Sequence, residues 1–153
     1  LGYNYRMTDI QAALGVSQMK KIDSFISRRK EIVKAYDEAF EKLEAITTPY
    51  QAGYSDSGWH IYIIKLNLDK LNVSRKEVFE ALQKENIGVN VHYLPVYLHP
   101  YYKELGYEKG LCPIAEDLYE RIITLPIHQS MTKEDAEDVI SAVNKVIAHY
   151  GVK

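Results

Sequence analysis

Apolar residues recur at spacings of three and four along the first third of the chain, which is the pattern of an amphipathic helix. They run from Ile10 to Leu43, and no proline lies between these two positions. Thr8 and Gln11 stand at the start of this tract with capping-box spacing, in which each residue satisfies a backbone amide of the other. The pattern predicts one long helix, or two helices with a bend near Asp23.

The rest of the chain alternates short β-branched or aromatic runs with amphipathic segments. Strands are predicted at residues 60–66, 89–93 and 122–125. Helices are predicted at residues 74–86, 113–121 and 132–150, and one helical turn at 101–105. Each of the three longer helices begins at a serine, threonine or proline, which are residues that favour a helix start.

This order of elements predicts an α/β chain, more narrowly a small α+β domain. We expect a long leading helix followed by a small, mostly antiparallel sheet covered by helices. A doubly wound parallel sheet fits less well, because the strands are few and the loops at 49–58 and 94–112 are long. The expected division is a leading helix over residues 1–45 and a small domain over residues 46–153.

Composition narrows the classes of function. The 153 residues are 46% hydrophobic and 26% charged, with a net charge of −2, which is ordinary for a globular chain and argues against nucleic acid as a partner. No apolar run reaches the ~20 residues that span a bilayer. The single cysteine, Cys112, excludes an intramolecular disulfide and any multi-cysteine zinc site. The basic run at residues 28–30 is interpreted as a solvated helix face.

The chain begins with Leu1 and enters an aromatic-rich segment at once, which suggests a fragment of a longer protein. Residues 2–15 are dense in small, polar and aromatic side chains where the first helix begins. Free amides and the helix dipole suit an anion there. Asn4 can donate from its amide, and Arg6 can form a bidentate pair with a phosphate. The alternative is a tightly packed helix with Arg6 in a salt bridge.

A second candidate site follows the predicted strand at 89–93, where His92 and Tyr93 precede Pro95. A strand end followed by a proline-bounded loop rich in histidine and tyrosine resembles the wall of a binding site. His60 is a weaker candidate at the edge of the first strand. A metal site that used His92, His99 and His128 is conceivable, but none of the five histidines has helical metal-ligand spacing.

These blocks together resemble the C-terminal region of the DegT/StrS family of sugar aminotransferases, which are fold-type-I enzymes dependent on pyridoxal phosphate. The first block, Gly2 to Gly15, matches the family pattern Gly-x-Asn-x-Arg-Met-x-x-x-Gln-Ala-Ala-x-Gly. The resemblance continues in order through Trp59-His60-Ile61-Tyr62, then Gly88 to Pro95, then Leu125-Pro126. It covers nearly the whole chain.

The resemblance implies a cytoplasmic homodimer in which the asparagine of the first block, here Asn4, reaches the cofactor phosphate of the partner subunit. Arg6 is the second candidate for this role. The family's Schiff-base lysine lies in an upstream large domain, and none of the 14 lysines here stands in that motif. No catalytic residue is therefore expected in this chain, and the fragment alone is expected to be inactive.

The resemblance also implies a substrate, a nucleotide-linked 4-keto-6-deoxy sugar used to make surface polysaccharides or glycans, with an amino acid such as glutamate as amino donor. His92 and Tyr93, with His60, would line the sugar-nucleotide side of the pocket. Two alternatives remain at this point. One is a sugar dehydratase of the same family, in which histidine replaces the lysine, and the other is a non-catalytic interaction or regulatory module.

Overall fold

A three-stranded antiparallel sheet packs against helices in the computed structural model, which describes residues 2–3 and 5–152. The helices of this part are α1 (Asp9–Met19), α2 (Ile22–Phe40), α3 (Arg75–Lys84), α4 (Pro100–Glu104), α5 (Pro113–Tyr119) and α6 (Lys133–Tyr150). The strands are β1 (Ile46–Thr47), β2 (Tyr62–Leu66) and β3 (Ile122–Leu125). The predicted α+β class with a small antiparallel sheet is confirmed.

The strand order is β1-β2-β3, and both pairs are antiparallel. Tyr62 lies opposite Leu125, and Lys65 lies opposite Ile122. Burial alternates along β2, whereas all four residues of β3 are buried. A strand that is covered on both faces has this continuous apolar character.

The core lies between the sheet and three helices, because α6 packs against both α2 and α3. Tyr36 on α2 and Tyr62 on β2 are fully buried, with ring centroids 5.1 Å apart. The Tyr36 hydroxyl donates a 2.8 Å hydrogen bond to the carbonyl of Pro126, so the chain that leaves β3 is tied to α2. This arrangement fixes the end of β3, beside which His92 lies.

The leading helical tract is two helices rather than one. The break lies at Lys20 and Lys21, slightly before the bend expected near Asp23. The two helices differ in burial: α2 contributes to the core from Ile32 to Phe40, whereas α1 contains no buried residue. The division of the chain at residue 45 stays a prediction.

The interpretation of residues 28–30 as a solvated face is wrong. Arg28 Nε donates to the carbonyl of Met131 at 2.9 Å, and Arg29 donates to the side chain of Gln129 at 3.3 Å. Lys30 pairs with Asp56 at 2.6 Å. These contacts tie α2 to two segments that are distant in the sequence, so the basic run fixes tertiary structure.

Candidate functional site

The segment after α3 runs beside β3 but pairs with it only at one residue. Asn90 and Thr124 exchange backbone hydrogen bonds of 3.1 and 2.7 Å. The Asn90 side chain then accepts a 2.7 Å hydrogen bond from the amide of Val91. An asparagine side chain that binds a neighbouring amide competes with strand pairing. The predicted strand at 89–93 is therefore wrong in extent.

His92 is held against the sheet by a side chain. Its Nδ1 lies 2.9 Å from Oγ1 of Thr124, a buried residue at the centre of β3. This contact fixes one ring nitrogen and so sets the orientation of the imidazole, as hydrogen bonds to a histidine ring commonly do. The ring is half-buried.

Tyr93 lies next to His92 and is 70% exposed. The two ring centroids are 4.4 Å apart with an interplanar angle of 72°, and the peptide bond between the residues is cis. Strand pairing does not reach either residue, so their side chains do not follow the alternation between the two faces of a strand. The structure instead brings them together as one aromatic pair, with an anchored imidazole and an accessible phenol.

The loop after this pair is closed by a carboxylate that the sequence did not single out. Glu116 on α5 is buried, and its Oε1 accepts hydrogen bonds from the Tyr97 hydroxyl at 2.5 Å and from the Gly110 amide at 2.7 Å. These two donors hold the pKa of Glu116 below its usual value. Burial and the neighbouring carboxylate raise the pKa of Tyr97 to about 12, so this hydroxyl stays protonated and donates.

Residues of this loop, with Leu94 just before it, line an open cavity of about 420 Å³. Leu94, Leu98, Lys103 and residues 107–109 line it. The distribution of polar and apolar residues on α5 explains why sequence analysis did not predict Glu116 as a site residue. Its apolar residues Ile114 and Leu118 are exposed, and the glutamate is the buried residue, which is the reverse of what helical periodicity predicts.

The other predicted site residues lie on different elements. Arg6 is exposed and precedes α1, whose start has the expected capping box between Thr8 and Gln11. Asn4 lies outside the described residues. His60 is exposed and precedes β2. His92 and Tyr93 are thus the members of the predicted set that the structure brings into contact.

In the described part of the chain, no three histidine, cysteine or acidic side chains are placed to bind a metal ion together. Within the same residues, no helix combines the length and the hydropathy that crossing a membrane requires.

Comparison with known proteins gives consistent matches. The sequence model of the DegT/DnrJ/EryC1/StrS aminotransferase family matches residues 1–144. The spore coat polysaccharide biosynthesis protein SpsC of Bacillus subtilis is 40% identical over 148 residues, which are 95% of this chain and 38% of SpsC. The UDP-4-amino-4,6-dideoxy-N-acetyl-beta-L-altrosamine transaminase of Campylobacter jejuni is 40% identical over 139 residues, which are 91% of this chain and 36% of that protein.

The fold is similar to solved structures of the same kind. Helicobacter pylori PseC, an aminotransferase involved in the biosynthesis of pseudoaminic acid, superposes with a TM-score of 0.87 and is 31% identical. The match covers 98% of this chain and 40% of the PseC chain. The chain therefore spans well under half the length of the relatives that it matches.

Proposed function

Because this chain belongs to the DegT/DnrJ/EryC1/StrS aminotransferase family, we propose that it is the C-terminal part of a sugar aminotransferase dependent on pyridoxal phosphate. The substrate is a nucleotide-linked 4-keto-6-deoxy sugar, and the amino donor is an amino acid, with glutamate as the first choice. The observation that carries this proposal is the 40% identity with the Campylobacter jejuni UDP-sugar transaminase along 91% of the chain. Its cellular role is polysaccharide or glycan biosynthesis in the cytoplasm.

The donors before α1 fit the phosphate end of the cofactor. Arg6 is exposed two residues before the helix N-cap Thr8, at the positive end of the helix dipole. A guanidinium binds phosphate in bidentate form, and the amide of Asn4 would add a further donor. Pyridoxal phosphate, when bound, supplies the electron sink that amino-group transfer requires. We assign no catalytic residue to this chain, and the lysine that bonds to the cofactor belongs to the upstream domain.

The protein functions as a homodimer in this proposal, and α1 supports it. This helix has no buried residue, and Ile10 and Leu14 are exposed one turn apart. Ala12, Ala13 and Gly15 leave room for close approach of another backbone. Residues 1–45 would link the large and small domains, so that α1 presents Asn4 and Arg6 to the cofactor phosphate of the partner subunit.

The substrate side of the pocket is formed by the aromatic pair at residues 92–93. Thr124 orients the imidazole of His92 through the 2.9 Å contact, which leaves the other ring nitrogen for a sugar hydroxyl or a diphosphate oxygen. Tyr93, at 70% exposure, can donate to a hydroxyl of the same substrate. His60 is a peripheral candidate, because it is exposed in the segment before β2.

The test uses the full-length protein that contains this chain. It is incubated with pyridoxal phosphate, glutamate and a UDP-linked 4-keto-6-deoxy-N-acetylhexosamine, and mass spectrometry follows replacement of the keto oxygen by an amino group. Formation of the amino sugar together with 2-oxoglutarate is the expected result. Loss of water from the sugar without amination would overturn the proposal. The 153-residue chain alone serves as a control and is expected to form no product.

A further inference from the structure

The buried carboxylate of Glu116 joins the two ends of a loop. Tyr97 enters the loop, Gly110 leaves it, and both donate to the same oxygen of Glu116. A buried carboxylate needs such partners, because its desolvation is costly when its lone pairs are left unsatisfied. The two hydrogen bonds therefore fix the separation of residues 97 and 110 at the base of the loop.

The backbone at Gly110 is adapted to this contact. Its φ is +100°, a conformation that residues with a side chain rarely adopt, and an added Cβ would meet no atom within 4 Å. Space around Gly110 is thus not the reason for a glycine at this position. The backbone conformation, which aims the amide at the carboxylate, is the reason.

The loop begins next to the proposed substrate residues. Only three residues separate Tyr93 from Tyr97. Leu94 and Leu98, on either side of Tyr97 in the sequence, line the 420 Å³ cavity together with Lys109. Movement of Tyr97 away from Glu116 would release the cavity walls and the backbone that carries Tyr93. Glu116 itself faces the loop ends and is not part of the cavity lining.

From this geometry we propose that Glu116 is a positioning residue, which holds the loop at 97–110 closed and thereby keeps the Tyr93 side of the pocket in place for the nucleotide sugar. The proposal rests on the function proposed above for its effect on substrate. Its structural part, the closed loop, stands on the two hydrogen bonds alone. No chemical step is assigned to Glu116.

The first experiment uses the full-length protein and measures how often the loop opens, independently of enzyme activity. Lys103 and Lys109 are trypsin sites inside the loop, so the rate of cleavage there reports how often the loop opens. Tyr97→Phe removes one hydrogen bond to a charged group and is expected to speed cleavage at these sites by about tenfold. Glu116→Ala removes the acceptor of both hydrogen bonds and is expected to speed cleavage by more than Tyr97→Phe does. Glu116→Gln keeps an acceptor oxygen and should fall between wild type and Glu116→Ala.

Two variants serve as matched controls. Asp117→Asn removes the adjacent carboxylate, which is exposed and pairs with Arg121 at 2.8 Å outside the loop. Tyr101→Phe removes an exposed hydroxyl from within the loop. Both should be cleaved at the wild-type rate, and circular dichroism must show that every variant is folded. If Glu116→Ala does not fold, Tyr97→Phe and Glu116→Gln still decide the question.

The second experiment measures KM and kcat in the full-length enzyme. Tyr97→Phe and Glu116→Gln should raise KM for the nucleotide sugar severalfold and leave the half-reaction with glutamate unchanged. Wild-type cleavage rates in the Glu116 and Tyr97 variants would overturn the closed loop. Faster cleavage with an unchanged KM would overturn the positioning role. A wild-type enzyme that aminates no nucleotide sugar would refute the proposed function, and the cleavage rates would still decide whether Glu116 closes the loop.

Discussion

The hydroxyl of Tyr62 donates a 2.6 Å hydrogen bond to Oδ1 of Asp37, and this contact joins β2 to α2 at the edge of the core. Burial raises the pKa of Asp37, the hydrogen bond from Tyr62 opposes that rise, and the charge of Glu41 adds to it. The folded state therefore favours the protonated carboxyl relative to the unfolded chain. Ionisation of Asp37 in the folded state therefore costs stability, and the hydrogen bond from Tyr62 partly offsets that cost.

Replacement of Asp37 by asparagine should alter the pH dependence of stability. A raised folded-state pKa gives a contribution that is fully present below the unfolded value, near 3.9, and is lost as the pH rises through the folded value. As the pH falls from 7 to 4, wild type should therefore become more stable relative to Asp37→Asn, as measured by the free energy of unfolding. Urea titrations at several pH values measure it. Glu38→Gln, on the exposed side of α2, is the matched control for loss of a carboxylate on the same helix.

The stability of the protein should depend strongly on the residue that caps the N-terminus of α6. Thr132 Oγ1 accepts from the amide of Asp135 at 3.1 Å, and the Asp135 carboxylate accepts from the amide of Thr132 at 2.8 Å. Thr132→Ala should lower the free energy of unfolding by about 1 kcal/mol. Thr8→Ala removes the same kind of cap from α1, which has no buried residue, so it should reduce helix content and leave the global unfolding midpoint unchanged. Equal shifts in the unfolding midpoint for Thr132→Ala and Thr8→Ala would contradict this prediction.

Arg28 should stabilise the fold more than a surface lysine on the same helix. Its Nε donates to the Met131 carbonyl and its guanidinium pairs with Glu31 at 2.6 Å, whereas Lys34 is exposed and lies 3.9 Å from Glu38. Arg28→Ala should cost about 1–2 kcal/mol, since a partly buried carbonyl loses its partner. Lys34→Ala should cost less than about 0.5 kcal/mol. Similar losses of stability in Arg28→Ala and Lys34→Ala would support the interpretation of residues 28–30 as a solvated face.

Local signals were sufficient for much of the fold. The β-branched run that ends at Pro126 predicted β3, and the cap at Thr132 with an apolar stripe predicted α6, because both depend on residues close together in the sequence. The two-residue strand β1 was missed, since two residues carry no periodicity. Residues 89–93 have the composition of a strand, but only Asn90 pairs with β3. The Asn90 side chain accepts the hydrogen bond of the Val91 amide, and the predicted strand was therefore too long.

The site was less predictable, because its contacts join distant segments. Nothing in the sequence near His92 indicates that Thr124 orients its ring, and nothing near Glu116 indicates that Tyr97 donates to it. The basic run at 28–30 gave the wrong interpretation for the same reason, since Met131 lies about one hundred residues away. The pattern of a strand end before a proline-bounded loop selected His92 and Tyr93, and the structure shows that Thr124 holds the His92 ring.

In the full-length enzyme, Asn4→Ala should weaken retention of pyridoxal phosphate more than it affects folding, and Arg6→Ala should have a smaller effect. Loss of one hydrogen bond to a charged group corresponds to about 1.5–3 kcal/mol, or about ten- to a hundredfold in Kd. Equilibrium dialysis measures the Kd of the cofactor. Gln11→Ala is the control, because it breaks the cap of α1 and removes no donor before the helix. An unchanged Kd with a lower melting temperature would make Asn4 a structural residue.

Tyr93→Phe and Thr124→Val should separate substrate binding from stability at the proposed pocket. Tyr93 is 70% exposed, so loss of its hydroxyl should leave the unfolding midpoint unchanged and raise KM for the nucleotide sugar. Thr124 is buried and holds His92 at 2.9 Å, so Thr124→Val keeps the volume, frees the imidazole and should raise the same KM with a modest loss of stability. Tyr54→Phe, an exposed tyrosine in the loop before β2, is the control.

Single-turnover measurements of the two half-reactions decide between binding and packing. If the aromatic pair contacts the sugar nucleotide and not the amino donor, Tyr93→Phe and Thr124→Val slow only the half-reaction with the keto sugar. A variant of His92, such as His92→Ala, should show the same asymmetry. Equal slowing of both half-reactions, or of neither, would remove His92 and Tyr93 from the substrate site and leave the Thr124 contact as a packing interaction.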